Sequence, residues 1–268
     1  MIGVDIEAHD REVADTLIEE LMQCIGSGRL IIGSNDPDEL YHVSYHLPDT
    51  ADIDDVITCR VAGTYNEVGL KLWEAAFFLA EYVLAEKEMF HDKYVLELGA
   101  GVGFTGFVLA KCARPKHVLL TDYAPQVMQN LRYNIEINEH QFTCPVEACA
   151  LDWSTYTNDE GSKQPDILLA GDCVYDVANF PSLVQVLNLF LIPSSGIDGV
   201  AGVSSRVAIF ASTIRNQQTF QTFLEQLKSH RIDYADITVE ALSKMTPPTF
   251  TYENKDSIRL CKLFKTSL

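Results

Sequence analysis

Carboxylates and glycines meet in the segment "YVLELGAGVGFTG", residues 94–106 of this 268-residue chain. Glu97 precedes Gly99 and Gly101, and another acid, Asp122, ends the apolar segment "HVLLTD". Glycine lets a ligand approach the backbone because it has no Cβ and accepts positive φ. An acid about 20 residues after such a turn can accept hydrogen bonds from both hydroxyls of a ribose. The spacing therefore predicts a site for a cofactor that contains a nucleoside.

The glycine spacing by itself fits two classes of cofactor. Gly101, Gly103 and Gly106 spell G-x-G-x-x-G, the loop of dinucleotide sites. Glu97, Gly99 and Gly101 spell E-x-G-x-G, which is typical of S-adenosylmethionine loops. Glu97 lies inside a strand where a dinucleotide fold usually carries an apolar residue, and its carboxylate would lie near the cationic methionine end of the cofactor. We therefore favour S-adenosylmethionine; NAD and a turn whose glycines serve packing alone are the alternatives.

Two tryptophans and a third acid extend the predicted cofactor site. Asp152 and Trp153 end the segment "ALDW", where the indole could flank an adenine ring and the carboxylate could read its edge. Trp73, in "LKLWEAA", begins a helix and could close over the cofactor. For both tryptophans the alternative is a place in the core.

An acid and an aromatic ring follow another apolar segment, in "LLAGDCVYD". Gly171 would lie beside the cofactor, and Asp172 and Tyr175 would stand at the edge of the sheet. A carboxylate can orient a lysine ammonium group, and an aromatic face can pack on it. We expect Asp172 and Tyr175 to be catalytic residues in methyl transfer to a lysine; the alternative role for Asp172 is a helix cap.

One more loop at this edge carries polar side chains. Thr213, Arg215 and Asn216 follow the segment "VAIFAS", and we predict that they bind the substrate. Arg215 could hold the substrate backbone or a neighbouring acid, whereas Asn216 could instead cap the following helix. No metal site is expected, because His42 and His46 stand four residues apart without a third ligand.

All these residues lie at the ends of alternating strands and helices. Such alternation predicts βαβ units and a parallel sheet with helices on both faces, and ligands bind such sheets beyond the carboxyl ends of the strands. A helix with a wide apolar face, residues 70–88, comes first. The predicted strands are 94–98, 117–121, 146–151, 166–171 and 206–212, and the predicted helices are 104–112, 125–137, 179–191 and 216–229.

The C-terminal part departs from this alternation. Residues 233–241 and 257–265 have the pattern of strands, with no good helix between them. Two strands joined without a crossover helix pair antiparallel. A parallel sheet closed by one antiparallel hairpin is the pattern of seven-strand methyltransferases, whereas a dinucleotide-binding domain more often continues with another βαβ unit.

Residues 1–66 differ in pattern from the rest of the chain. Apolar residues at helical spacing predict a helix over residues 10–25, and residues 26–66 contain short strands such as "LYHVSYH". We interpret residues 1–66 as an N-terminal extension and residues 67–268 as an S-adenosylmethionine-dependent methyltransferase domain.

Composition disfavours several classes of protein. The formal net charge of −18 repels a phosphate backbone, which disfavours a nucleic-acid partner, and it would attract a basic protein patch. Seven cysteines without a C-x-x-C pair fit neither a secreted disulfide framework nor a zinc site. The N-terminus is too acidic for a signal peptide, and no apolar run approaches the roughly 20 residues of a membrane span. These features predict a reduced, soluble intracellular protein and leave cytoplasm and nucleus as alternatives. Of these we expect the cytoplasm, and we expect a monomer that does not bind a membrane.

The combination of motifs resembles the seven-β-strand protein-lysine methyltransferases, and within that group the elongation factor 2 lysine methyltransferases. The likeness covers residues 60–268. It is carried by the W-x-x-A helix, the E-L-G-x-G loop, "ALDW", "AGDCVY" and the Arg-Asn pair in "STIRNQQTFQTFLEQL". Cys173 and Val174 stand where aliphatic pairs are usual in this group, which is a mild departure.

The resemblance implies a Rossmann-like sheet, S-adenosylmethionine as cofactor and a lysine of elongation factor 2 as substrate. It carries the target-lysine site to Asp172 and Tyr175. It also carries the group's cofactor contacts to Trp73, Gly99, Ala100, Gly101, Asp122, Trp153 and Gly171. The alternatives are the same chemistry on another client such as a chaperone, an NAD-dependent oxidoreductase, and a module that keeps the cofactor pocket without catalysis.

Overall fold

The structure is a computed structural model, and it describes residues 40–47, 56–63, 68–157, 164–191 and 206–265. The chain from Leu40 to Leu268 forms one compact unit. The helix expected over residues 10–25 lies outside the described residues. That helix and the proposed domain boundary after residue 66 therefore stay predictions.

Two strands form a small antiparallel hairpin ahead of the main sheet. Strand β1 (Leu40–His46) pairs with β2 (Val56–Ala62) along its whole length, which confirms the strand predicted at "LYHVSYH". Alternate residues of β2, namely Ile57, Cys59 and Val61, are buried, as expected for a strand with one face on a core. The hairpin therefore belongs to the same packed unit as the main sheet.

Seven further strands form one mixed sheet. They are β3 (Tyr94–Leu98), β4 (His117–Asp122), β5 (Val146–Ala150), β6 (Ile167–Gly171), β7 (Val207–Thr213), β8 (Asp233–Asp236) and β9 (Ile258–Phe264). Their order across the sheet is β5-β4-β3-β6-β7-β9-β8. Strands β3 to β7 are parallel, and β9 runs antiparallel to both β7 and β8. The chain thus reverses its direction of growth between β3 and β6, and ligands bind at such a point in doubly wound sheets.

Seven helices complete the described unit. They are α1 (Glu74–Ala85), α2 (Lys87–Phe90), α3 (Phe104–Cys112), α4 (Pro125–Asn138), α5 (Phe180–Phe190), α6 (Gln217–Ser229) and α7 (Thr238–Lys244). Buried residues of α1, α3 and α4 share one core with the hairpin, and those of α5 and α6 share a second core. Successive strand residues feed opposite cores: Val95 belongs to the first and Leu96 to the second.

The predicted strands and helices between residues 94 and 229 are confirmed, with ends that differ by no more than one residue. The helix predicted over 70–88 is divided. A 3₁₀ turn covers Val68–Leu70, α1 begins after Trp73, and the helix pauses at Glu86 before α2.

The strand predicted over residues 233–241 is wrong beyond Asp236, and so is the expectation that no helix joins the last two strands. The β-branched run at residues 237–239 suggested a strand, but α7 begins at Thr238, whose backbone N donates to Asp236 Oδ1 at 3.0 Å. Thr238, Ala241 and Met245 are buried at helical spacing, whereas Val239 is exposed. The expected antiparallel pairing of the two strands is nevertheless confirmed.

Three asparagines of α4 bind the β1–β2 hairpin to this helix. Asn130, Asn134 and Asn138 are buried and lie four residues apart on one face of the helix. Asn134 Oδ1 accepts from Arg60 N at 2.8 Å, and Asn138 Oδ1 accepts from Thr58 N at 3.0 Å. The amide groups of Asn130, Asn134 and Asn138 donate to carbonyls of Arg60 and Thr58 in return. The helix side chains thus replace a neighbouring strand for β2.

A buried carboxylate on α1 fixes the segment that precedes β9. Glu81 accepts hydrogen bonds from Thr249 N at 2.8 Å, Phe250 N at 3.0 Å and the Tyr252 hydroxyl at 2.9 Å, and it pairs with Lys255 Nζ at 2.6 Å. This segment therefore stays beside α1. In the described ranges, no helix combines the length and the apolar character that crossing a membrane requires.

Candidate active site

A cavity of about 780 Å³ opens at the carboxyl ends of β3, β4, β5 and β6. Its walls are the loops after these strands and the segment that leads into α1. Twelve of the fourteen residues predicted for the site line it: Trp73, Glu97, Gly99, Ala100, Gly101, Asp122, Asp152, Trp153, Gly171, Asp172, Tyr175 and Arg215. The topology brings them together because parallel strands end at the same edge of a sheet.

The four glycines after β3 divide into two pairs. Gly99 and Gly101 line the cavity at φ of +59° and +55°. Gly103 and Gly106 face the core, where an added Cβ would lie 2.4 Å from Phe107 Cζ and 2.3 Å from Leu120 Cδ2, respectively. The part of the loop that borders the cavity is therefore E-x-G-x-G, and the last two glycines of G-x-G-x-x-G are needed for packing.

Glycine at the two cavity positions lets other walls of the cavity approach. A Cβ at Gly99 would lie 2.8 Å from the Cys173 sulfur, and one at Gly101 would lie 3.0 Å from the Gly69 carbonyl oxygen. At both distances the neighbouring atom would have to move to make room for a Cβ. The absence of side chains at Gly99 and Gly101 thus allows the turn after β6 and the turn before α1 to pack closely against this loop.

Asp122 holds the glycine loop and faces the same cavity. Its Oδ2 accepts from Gly101 N at 3.0 Å, and its Oδ1 accepts from Tyr123 N at 2.7 Å. A carboxylate oxygen has two acceptor sites, so each oxygen keeps one for a ligand. This geometry fits the predicted role of accepting ribose hydroxyls.

Glu97 is almost completely buried at the base of the cavity. Its Oε2 atom has no hydrogen-bond partner among the described residues. Burial raises the pKa of Glu97 to about 8, and the nearby Asp122 charge adds to this, while hydrogen bonds with Thr105 and Gly106 oppose it. A buried, unpartnered carboxylate oxygen is costly without a ligand. It suits a cofactor with a cationic group, such as the methionine ammonium of S-adenosylmethionine.

Asp152 and Trp153 form the wall that follows β5. Trp153 packs against the second core, the one that contains α5 and α6, and also lines the cavity. Asp152 Oδ1 accepts from both Ser154 N at 2.8 Å and Ser154 Oγ at 2.7 Å, and these bonds lower the pKa of the Asp152 carboxyl. Asp152 therefore orders the turn that presents the indole, and it also lines the cavity.

Trp73 closes the opposite side just before α1. Its Nε1 donates to the Val68 carbonyl at 2.9 Å. Two cations lie near its ring: Lys71 Nζ is 4.7 Å and Arg215 Cζ is 5.0 Å from the ring centroid. Cations favour the faces of indole rings, so these contacts hold the indole at the cavity instead of in the core.

Asp172 is strained and tightly held after β6. Its φ of +55° is uncommon for a residue with a side chain, and such strain often marks functional positions. Oδ1 accepts from Thr213 N at 2.8 Å, and Oδ2 accepts from Thr213 Oγ1 and Arg215 Nη2, both at 3.0 Å. Tyr175 follows at the mouth of the cavity, where its side chain is exposed.

Two of the predicted substrate-binding residues do not line the cavity. Thr213 is buried behind Asp172, to which it donates twice. Asn216 caps α6, because its Oδ1 accepts from Gln218 N at 2.8 Å and Thr219 N at 3.2 Å. Arg215 does line the cavity, and it pairs with neighbouring acids.

Other cavity residues escaped the sequence analysis. They are Val68, Gly69, Lys71, Leu72, Ala76, Val102, Tyr123, Ala124, Val127, Leu151, Ser154, Cys173, Asn179 and Ser182. Those next to a predicted residue, such as Tyr123 and Cys173, could have been found from adjacency. Gly69 and Asn179 have no local signal, because only the tertiary structure brings their segments to this edge. Among the described residues no cluster of His, Cys, Asp and Glu could hold a metal ion.

Comparison with known proteins agrees with this site. Residues 56–230 match the sequence profile of a family described as lysine methyltransferase. Protein-lysine N-methyltransferase EEF2KMT of Mus musculus is 30% identical over 236 residues, which are 84% of this chain and 67% of the mouse protein.

Two further relatives carry names of the same kind. Protein-lysine N-methyltransferase EFM3 of Chaetomium thermophilum is 29% identical, over 73% of this chain and 57% of its own length. Calmodulin-lysine N-methyltransferase of Arabidopsis thaliana is 25% identical, over 72% of this chain and 60% of its own length.

The matched region includes the hairpin strand β2, the glycine loop and every strand whose carboxyl end borders the cavity. It also includes Glu97, Asp122, Asp152 and Asp172, the four carboxylates that line the cavity. The chain therefore belongs to the lysine methyltransferase family, enzymes that transfer a methyl group from S-adenosylmethionine to a protein lysine.

Proposed function

We propose that this chain methylates a lysine of translation elongation factor 2 in the cytoplasm, with S-adenosylmethionine bound in the cavity at the carboxyl ends of β3 to β6. Family membership supports the reaction, and the relatives named EEF2KMT and EFM3 support the client. The observation that carries the proposal is that a single cavity contains two sets of residues. One set is suited to bind a nucleoside, and the other, Asp172 and Tyr175, is suited to bind an amine.

The residues predicted to bind the nucleoside would each contact a different part of the cofactor. Asp122 would accept the ribose hydroxyls through its two remaining acceptor sites. Trp153 would flank the adenine, with Asp152 at its edge, and Glu97 would pair with the methionine ammonium. Trp73 would cover the cofactor from the side of α1. Gly99, Ala100, Gly101 and Gly171 would line the cofactor through their backbone.

Asp172 and Tyr175 would receive the lysine. Bound S-adenosylmethionine supplies a methyl group on sulfonium, which is a strong leaving group, so the protein contributes mainly positioning and exclusion of water. Asp172 would orient the amine, and the exposed ring of Tyr175 would pack against the lysine side chain at the mouth of the cavity.

A direct assay tests the reaction and the client together. The purified chain is incubated with radiolabelled S-adenosylmethionine and purified elongation factor 2, and the labelled residue is located by mass spectrometry. We expect label on a lysine. The same assay on a cell lysate covers other clients: label on a different protein with none on elongation factor 2 would contradict the client but retain the enzyme.

Asp172→Asn separates catalysis from cofactor binding. Asparagine nearly matches the shape of aspartate and accepts positive φ, so the loop should keep its form. We expect kcat to fall by at least about 100-fold, while calorimetry shows the affinity for S-adenosylhomocysteine nearly unchanged. Asp176→Asn is the matched control, because Asp176 caps a turn outside the cavity. A non-catalytic module would show no activity to lose.

A binding titration tests whether the cofactor is S-adenosylmethionine or NAD. S-adenosylhomocysteine and NADH are each added to the wild-type chain in a calorimeter. We expect only S-adenosylhomocysteine to bind tightly. Tight binding of NADH alone would reverse the assignment of the glycine loop.

A further inference from the structure

Most of the hydrogen-bond acceptor sites of the Asp172 carboxylate are occupied by residues of the protein itself. Three hydrogen bonds reach it, two from Thr213 and one from Arg215. A carboxylate has about four acceptor sites, so only one remains for an incoming amine. The Asp172 side chain lines the cavity and is only 9% exposed, so little of it is open to water.

Arg215 joins Asp172 to a second acid. Its Nη2 atom lies 3.0 Å from Asp172 Oδ2 and 3.3 Å from Glu74 Oε2 at the start of α1. The guanidinium also lies near the Trp73 ring, with Cζ 5.0 Å from the centroid. These contacts fix the cation between the loop after β7, the loop after β6 and the first turn of α1.

Most charged groups around Arg215 are negative. Arg215 is the cation in direct contact with Asp172, and Lys71 lies on Trp73. The other titratable groups that line the cavity or contact Arg215 come from five elements. They are Glu74 from α1, Glu97 from β3, Asp122 and Tyr123 at and after the end of β4, Asp152 after β5, and Cys173 and Tyr175 after β6. Without Arg215, an amine entering here would face uncompensated negative charge.

A protonated lysine has no lone pair and cannot attack a methyl group. Neighbouring anions favour the charged ammonium, whereas a neighbouring cation and burial favour the neutral amine. We propose that Arg215 is a positioning residue that neutralises Asp172, so that the target lysine reacts as the neutral amine and uses the last acceptor site of Asp172 for orientation. This inference rests on the proposed lysine methylation.

The step balances in charge. The lysine ammonium first gives its proton to water. The amine lone pair then forms the N–C bond while the C–S bond breaks and its electrons stay on sulfur. Positive charge therefore passes from sulfur to nitrogen, and the methylated ammonium leaves as a cation.

The pH dependence of methylation tests the proposal. Steady-state rates at saturating client are measured from pH 6 to 10 for the wild type, Arg215→Gln, Arg215→Lys and Glu74→Gln. Arg215→Gln removes the cation, so the acid limb of kcat should move up by about one pH unit. Glu74→Gln removes an anion of the same pair, so its acid limb should move down. Arg215→Lys keeps the charge and should stay near the wild type, and all profiles should converge at alkaline pH.

The opposite shifts of Arg215→Gln and Glu74→Gln distinguish charge from structural damage. Profiles that keep one acid limb and differ only in height would overturn the proposal, and so would a higher KM for the client in Arg215→Gln with kcat unchanged. Melting temperatures and S-adenosylhomocysteine binding of each variant report on folding. Absence of methylation by the wild type would refute the proposed function itself, whereas an active wild type with unshifted variants would refute only the role of Arg215.

Discussion

Glu97 couples the cofactor site to pH. In the folded protein its pKa is raised to about 8, above the ordinary value of 4.5. Between these two values the folded state holds a proton that the unfolded state has released. The contribution of this group to stability is therefore greatest below pH 4.5 and is lost as pH rises to about 8.

Cofactor binding should respond in the opposite direction. A cationic methionine end favours ionised Glu97, so below pH 8 binding must displace the proton. We expect the affinity for S-adenosylhomocysteine to rise by up to about tenfold per pH unit between pH 6.5 and 8. Calorimetry in buffers of different ionisation enthalpy should show proton release over the same range.

Glu97→Gln is the control for this behaviour. The amide is neutral at every pH, so binding should be weaker at pH 8 and lose the steep dependence on pH. The unliganded variant should also lose the decline in melting temperature between pH 4.5 and 8. A wild-type affinity that stays flat from pH 6.5 to 8 would contradict the predicted contact between Glu97 and the cofactor.

At the scale of elements, α4 connects the hairpin to the glycine loop. Asn134 holds Arg60 of β2 through both backbone groups, and its amide also donates to the Val102 carbonyl at 3.0 Å. Val102 lines the cavity. One buried side chain thus fixes the position of the hairpin relative to the cofactor loop, and both depend on the same helix.

Asn134→Ala should therefore affect both stability and binding. The variant leaves the Arg60 N–H and the Val102 carbonyl without this partner, and unsatisfied buried groups cost about 1–3 kcal/mol each. We expect a loss of about 3 kcal/mol in the free energy of unfolding by denaturant titration, with weaker S-adenosylhomocysteine binding. Gln129→Ala, on the exposed face of the same helix, should change stability by less than about 0.5 kcal/mol. Equal effects of the two variants would contradict the role assigned to Asn134.

At the scale of the whole molecule, acidic charge is unevenly distributed along the chain. The net charge is −18, and residues 1–39 contain ten acids against two bases. Such a field attracts basic protein surfaces and is screened by salt. The target lysine itself approaches a cavity lined by several carboxylates.

Client binding should consequently weaken with ionic strength. Between 50 and 300 mM salt we expect the KM for the protein client to rise by about threefold to tenfold. The value of kcat at saturating client should change little, because the methyl transfer takes place inside the cavity. A KM that is independent of salt would show that the negative charge serves solubility alone.

The sequence by itself determined the alternating strands and helices, because buried faces impose local periods of 2 and 3.6 on the apolar residues. It also determined that Glu97, the glycines, Asp122 and Asp172 belong at one edge, since they lie at or just after the carboxyl ends of parallel strands. These signals lie within a few residues of each strand, so no tertiary information was needed to find them.

Only the tertiary structure decided what those residues contact. Arg215 meets Glu74 and Asp172 across 141 and 43 positions of the chain, and Asn134 meets Arg60 across 74. Such contacts depend on packing of distant segments and leave no periodic signal. The strand predicted over residues 233–241 ends early for a related reason. Burial of one face of α7 and the hydrogen bond from Thr238 N to Asp236 Oδ1 outweigh the local preference of β-branched residues for strands.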